Sequence, residues 1–304
     1  MVYLKSFQLP TGDSESGFLA NPYFPTYHAT LYPFQVFPRK GLSNILFSDI
    51  TIFSGGNGSG KSTLLNVICE KLSLKRETPF NKTSLYDDYV SYTDAEMDFI
   101  NRDDQRSLMA VSRIITSDDV FNHILKVRGR NEDIDFKRDV ILEQRLQYRY
   151  NPDSRPREID LENRESLEKY KEYSDMTRKS MSASSYVKKH LGFNERTYSN
   201  GENGFKYFTD AIQPGGLYLL DEPENSLSAE LQIDLADFIL GMTRAYKCQF
   251  IISSHSPFIL SIPYAKVYDM DKSPVGTCRW TELPNIRMYH DFFIDHHEEF
   301  LTEK

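Results

Sequence analysis

Residues 54–63 read SGGNGSGKST, with glycine at 55, 56, 58 and 60 running into a lysine and two hydroxyls. Glycine has no Cβ, so such a run lets the backbone turn tightly with its N–H groups pointing inward, a nest for anionic oxygens. The flanks decide its meaning. Before it, ILFSDITIF at 45–53 is β-branched and aromatic and predicts one buried strand. After it, STLLNVICEKL places Leu64, Leu65, Ile68 and Leu72 at helical spacing. Strand, glycine loop and helix in succession set the loop on a helix N-terminus, whose partial positive charge favours phosphate.

The spacing is that of the P-loop, G-x-x-x-x-G-K-[ST], with Gly55, Gly60, Lys61 and Ser62 at the fixed positions. Gly56, Asn57, Gly58, Ser59 and Thr63 complete the expected phosphate cradle. Lys61 is expected to neutralise β/γ-phosphate oxygens, and the Ser62 hydroxyl to ligate Mg²⁺. The plain alternative is a flexible Gly/Ser turn, and the flanking strand and helix argue against it.

Further on, GGLYLLDEPEN at 215–225 is an apolar strand ending in adjacent acids. Asp221, delivered at the strand's carboxyl end, is the expected second Mg²⁺ anchor opposite Ser62. Glu222 can orient and deprotonate an attacking water, so the pair implies hydrolysis as well as binding. In the helical run 228–246, Leu231, Leu235, Phe238, Ile239 and Met242 recur at helical spacing. CQFIISSHSPF then gives another apolar strand, ending at His255. A histidine there can reach a γ-phosphate; taken alone, it would more often be a surface or core residue. The segment TYSNGENGFKYF at 197–208 holds Ser199, Asn200, Gly201 and Glu202 ahead of a helix-like run, and by itself would pass for a turn.

Taken together, GGNGSGKS, YSNGEN, LYLLDEPENSLS and IISSHSPF resemble, in kind and in order, the motifs of the ABC-type ATPases, in the RecF, SMC and OLD-like non-transporter branch. The resemblance runs from about residue 45 to 260. It implies an α/β P-loop NTPase head with a helical lobe or lid insertion, and Mg²⁺-dependent ATP hydrolysis. It also implies a homodimer that sandwiches two ATP molecules, Ser199 and Gly201 of one subunit facing the γ-phosphate held by Lys61 of the other. Two departures stand out. The D-loop reads SLSA rather than S-x-L-D, and the Q-loop is open between Gln105 and Asp118, the latter standing where glutamine is expected if 112–121 forms a strand and lid entry. Tyr32, Phe34 and Phe37 are candidates for stacking on adenine, with core packing the commoner use of each.

The whole chain, 304 residues with net charge −8, suits one large α/β domain or two small ones and is not drawn to phosphate backbones by its average field. Cys69, Cys248 and Cys278 are scattered, a pattern of reduced thiols. No stretch approaches the about 20 apolar residues needed to span a bilayer, so a soluble cytoplasmic protein is expected. The expected organisation is an ATPase head formed by 1–121 and 199–304, with a helical lobe at 122–198. That lobe is strongly charged, with turn signals around Pro152 and Pro156. Its Arg145, Tyr148, Arg149, Tyr150, Arg155 and Arg157 mix bases with aromatics as single-strand binders do, though acids interrupt them. His290, His296 and His297 lie in an acidic tail that reads as a solvated helix rather than a metal site. The expected use of the cycle is a switch in a DNA transaction or bacterial anti-phage system, with a partner effector protein and DNA or RNA as a further ligand. The alternatives are a transporter's nucleotide-binding subunit, which needs a true Q-loop and an LSGGQ-type signature, and a P-loop kinase, which lacks the Asp221–Glu222 pair.

Overall fold

The structure, a computed structural model, describes residues 2–20, 30–99, 102–150, 164–177 and 199–301. The chain divides into two compact units, Met1–Asn122 with Ser199–Lys304, and His123–Tyr198.

The first unit holds β1 (Leu4–Gln8), β2 (Asn44–Leu46), β3 (Ile50–Ser54), β4 (Asp94–Met97), β5 (Arg113–Thr116), β6 (Leu217–Asp221), β7 (Gln249–Ser253), β8 (Lys266–Asp269) and β9 (Gly276–Cys278). Its helices include α1 (Gly12–Leu19), α2 (Lys61–Leu72), α3 (Tyr86–Ser91) and α4 (Arg102–Val111). The six-stranded sheet runs β5-β6-β7-β3-β8-β9, parallel except for the antiparallel β8–β9 edge. Every residue of β3 and β7 is buried, as are four of the five in β6. A parallel sheet covered on both faces needs apolar side chains on both, which is why these strands read as unbroken apolar runs. The chain adopts the expected α/β P-loop NTPase fold.

The register of the parallel strands makes the site. Thr116 pairs with Asp221, Asp221 with Ser253, and Phe53 with Ser253, so β5, β6, β7 and β3 end at one level. Loops leaving those ends share one crevice, as in other open α/β sheets.

The stretch 45–53 corrects the single-strand expectation: it forms β2 and β3, which belong to different sheets. Ser48 breaks the run. Its N–H donates to Thr51 Oγ1 at 3.0 Å and its Oγ to the Ile50 carbonyl at 2.6 Å, a local turn that competes with extended pairing. The smaller antiparallel sheet, β2-β1-β4, is tied to the larger by the fully buried Gln249. The Gln249 Oε1 accepts from Tyr3 and Leu4 N–H, and its Nε2 donates to the Leu4 and Ser48 carbonyls. All its polar groups are paired, so a buried amide is tolerated.

The Tyr and Phe content builds a core beside the P-loop. Phe34 stacks on Phe18 with centroids 5.0 Å apart and meets Tyr89 edge-on at 5.0 Å, while Tyr86 and Tyr89 of α3 are fully buried. Such pairs contribute about 0.5–1.5 kcal/mol each beyond area burial. Buried Glu15 of α1 accepts the Gln35 N–H at 2.6 Å and so anchors the loop carrying Phe34 and Phe37.

The helix α5 (Ser117–Tyr150) begins in the first unit and continues into the second, which also contains α6 (Arg164–Thr177). The turn expected at Pro152 and Pro156 lies outside the described residues, with Arg155 and Arg157; so do the side chains of Arg145, Tyr148, Arg149 and Tyr150. The chain re-enters the first unit through α7 (Asn200–Ala211), α8 (Ala229–Tyr246), α9 (Pro257–Leu260) and α10 (Pro284–Asp295). Among the described residues no helix is long and apolar enough to cross a membrane.

Candidate functional site

The loop from β3 to α2 turns on Gly58 and Gly60, whose φ angles of +78° and +94° are ones that side chains disfavour. Gly60 is also the residue before the first turn of α2, and a Cβ there would come within 3.2 Å of Val36. Gly60→Ala is therefore expected to destabilise the fold by about 1–3 kcal/mol and to lower its melting temperature. A melting curve unchanged from the parent would count against this geometry.

Lys61 is 4% exposed, and a buried ammonium needs partners. Its Nζ donates to the Gly55 and Gly56 carbonyls at 2.7 and 3.2 Å and lies 3.6 Å from Glu222 Oε1. The next residue faces the acidic strand: Ser62 Oγ donates to Asp221 Oδ1 at 3.0 Å. Ser253, at the end of β7, donates its hydroxyl to the same oxygen. Burial pushes the Asp221 carboxyl above its ordinary value, opposed by the Ser253 and Ser62 hydroxyls; Glu222 adds to the rise and Lys61 counters it.

Glu222 adopts φ +49°, ψ +55°, a left-handed conformation rarely found away from glycine. Its N–H is held by the Ser253 carbonyl at 3.0 Å and by Ser253 Oγ at 3.1 Å, and its Oε2 accepts from Asn225 Nδ2 at 3.0 Å. Strain of about 1–3 kcal/mol at one residue persists where neighbours over-determine it, and here it turns the carboxylate toward Lys61. So the expected Lys61, Ser62, Asp221 and Glu222 come together at the ends of β3 and β6.

His255 follows β7, and its side chain is 42% exposed. Its backbone is held by Glu224, a residue to which the motif reading gave no separate role. Asp271, just after β8, was missed as well: its Oδ2 accepts the Gly56 N–H at 2.8 Å, and its Oδ1 lies 3.1 Å from where a Gly55 Cβ would sit. The spans of 215 residues to Asp271 and 32 from Asp221 to Ser253 leave no local signal for either.

The stretch 112–121, expected as a strand and lid entry, holds β5 and the first turn of α5. Asp118 lines a polar cleft of about 420 Å³ together with Asn66, Arg76, Phe80, Thr116 and Asp221. Gln105 lies on α4, exposed and away from that cleft's walls. Of the stacking candidates, Phe34 and Phe37 are buried in the core, while half-buried Tyr32 donates its hydroxyl to Thr63 Oγ1 at 3.1 Å. Near the tail, His290 pairs with Asp291 at 3.0 Å and His296 with Glu299 at 2.6 Å. No cluster of three or more metal-ligating side chains occurs among the described residues.

Ser199 caps α7 in a reciprocal box: its Oγ accepts the Glu202 N–H at 3.2 Å, and Glu202 Oε2 accepts the Ser199 N–H at 2.8 Å. Gly201 sits where a Cβ would be 2.8 Å from Leu231 Cδ1 and 3.5 Å from the Ser226 carbonyl, and Gly204 lies similarly close to Leu227. The glycines thus let α7 approach the segment 226–231. In that segment Ser228, part of the unusual SLSA sequence, caps α8 through the Leu231 N–H.

A phosphate nest, a lysine, a hydroxyl and two strand-end acids in one crevice define a P-loop NTPase built for hydrolysis. Residues 45–225, more than half of the chain, match the family described as "ABC transporter", and 207–261 match "AAA domain, putative AbiEii toxin, Type IV TA system". The chain belongs to the ABC transporter family, as an ABC-type ATPase that hydrolyses ATP. No curated protein matches it in sequence. Among solved structures, the SMC head domain of Pyrococcus furiosus bound to the C-terminal domain of ScpA is 14% identical, over 96% of this chain and 100% of that one, with a TM-score of 0.41. The SMC head domain of Thermotoga maritima is 13% identical over 91% and 99%, with a TM-score of 0.37. A post-hydrolysis ATP-binding cassette dimer bound to ADP and Pi is 13% identical over 77% and 88%, with a TM-score of 0.35. These are distant likenesses, and the family assignment rests on the matched residues.

Proposed function

We propose that two copies of this chain close over two ATP molecules, each lending the signature of α7 to the nucleotide held by the other, and that hydrolysis releases the pair. The supporting observation is the convergence of Lys61, Ser62, Asp221 and Glu222 in one crevice, while Ser199 and Asn200 stand exposed at the start of α7. The Ser199 hydroxyl accepts within its own helix and keeps its proton to donate to an incoming anion. The Ser62 and Asp221 oxygens, 3.0 Å apart, are hard donors that fit Mg²⁺. Bound there, the ion would neutralise charge on the triphosphate. Gly55 to Thr63 cradle the phosphates, Lys61 pairs with the β/γ oxygens, Glu222 takes the proton of the attacking water, and His255 contacts the γ-phosphate.

The cycle serves as a cytoplasmic switch in a DNA-transaction or anti-phage system, in the non-transporter branch, through a partner effector and with DNA or RNA as a further ligand. Asp118 at the cleft where a transporter subunit needs glutamine weighs against coupling to a membrane channel. Sizing chromatography of Glu222→Gln tests closure. With ATP and Mg²⁺ the apparent mass is expected to double relative to the ATP-free sample; a monomer in both conditions overturns the sandwich.

A further inference from the structure

The third acid of the 221–225 stretch takes no part in the chemistry assigned so far, yet it is the most deeply engaged of the three. Glu224 lies in the 3₁₀ turn Pro223–Ser226 and is 6% exposed. Its Oε1 accepts the Ser254 hydroxyl at 2.7 Å, the His255 N–H at 2.8 Å and the Ser256 N–H at 3.2 Å, and lies 3.7 Å from His255 Nδ1. Its Oε2 is buried with no hydrogen-bond partner among the described residues. Burying a carboxylate is costly unless hydrogen bonds compensate it, and here three donors converge on the one oxygen Oε1.

What it fixes is the loop carrying His255. The anchored N–H groups are those of His255 itself and of the residue after it, while the imidazole stays part-exposed. Gln232 braces the same loop from α8: its Oε1 accepts from Ser256 Oγ at 2.6 Å, and its Nε2 donates to the Leu227 carbonyl at 2.9 Å. The far side of the turn meets the signature helix, where Gly201 and Gly204 pack on Ser226, Leu227 and Ser228. One short turn therefore touches both the histidine loop and the helix that begins at Ser199.

We infer that Glu224 is a positioning residue that holds His255 in register with the signature helix, so that a γ-phosphate engaged by α7 is felt by the histidine loop. This rests on the role proposed above for His255. A carboxylate is required less than an acceptor oxygen at the Oε1 position, because all three donors are neutral.

The test is a double-mutant cycle on the full-length protein, reading kcat and KM for ATP. Glu224→Gln keeps the acceptor and is expected to hold kcat within about threefold of the parent. Glu224→Ala is expected to lower kcat by about 10- to 100-fold with KM changed less than about threefold, the signature of an interaction used in the transition state. In a His255→Ala background the same change should cost less than about twofold, since residues acting as one unit are not additive. Should the alanine variant not fold, Glu224→Asp, which withdraws the carboxylate by one methylene, carries the cycle. Parent-like kcat in the chosen variant, or an undiminished loss on top of His255→Ala, overturns the inference and leaves the role of His255 intact. Parent-like turnover of His255→Ala alone removes that role, and the inference with it.

Discussion

Glu222→Gln is expected to slow ATP turnover by about 10² to 10⁴ while the variant still binds ATP. The amide has the shape of the acid, so the backbone lock from Ser253 and the contact with Asn225 can persist. What it lacks is the capacity to take a proton from water. The carboxylate's position makes the expectation sharp: its Oε1 is 3.6 Å from Lys61 Nζ, the group that would hold the γ-phosphate end of the substrate. On the role proposed for Lys61, a residue that strain and hydrogen bonds hold beside that ammonium would face the reacting end of ATP, not the base or ribose. The checks are steady-state phosphate release and the nucleotide retained after rapid desalting. Near-parent turnover would take Glu222 out of the base role, and loss of ATP retention would recast the residue as a binding group.

The contrast with its neighbours explains how much was legible in the sequence. Gly55 to Thr63 could be read because their chemistry is local: a loop, its lysine and its hydroxyl lie within ten residues, and strand and helix flank them. Asp221 and Glu222 could be read because a parallel strand must end where the crevice begins. The Ser253 hydroxyl on Asp221, Asp271 on the P-loop and Gln249 between the sheets could not, because each contact joins segments whose adjacency exists only after the sheet has formed. The break at Ser48 failed for the opposite reason. Its signal is local, but a serine–aspartate step inside an apolar run competes with the stronger cue of strand periodicity. Glu224 was visible as a letter of the acidic stretch, yet nothing in the letters says that its oxygen is directed at a loop 30 residues on. Asp118 lines the cleft beside Asp221 because β5 ends level with β6, a placement that spacing along the chain does not give.

Ser199→Asp is expected to lower turnover by about 10² to 10³, the usual cost of losing a donor aimed at developing negative charge, and to abolish ATP-dependent dimerisation. The substitution separates two roles that share one hydroxyl. As a helix cap, Ser199 Oγ only accepts the Glu202 N–H, and aspartate caps as well as serine does. Thermal stability and ATP binding to the single subunit should therefore stay close to the parent values. As a partner for a triphosphate held by another subunit, Ser199 must donate, and an acceptor-only carboxylate brings repulsion instead. Ser199→Ala reverses the pattern of stability, losing the cap at about 0.5–2 kcal/mol without adding charge. If Ser199 served the helix alone, the aspartate variant would turn over normally and the alanine variant would be the damaged one. Melting curves, nucleotide titration and sizing with ATP on both variants distinguish these outcomes. The difference arises because the capping box at the start of α7 uses the Ser199 hydroxyl only as an acceptor, and the residue is exposed.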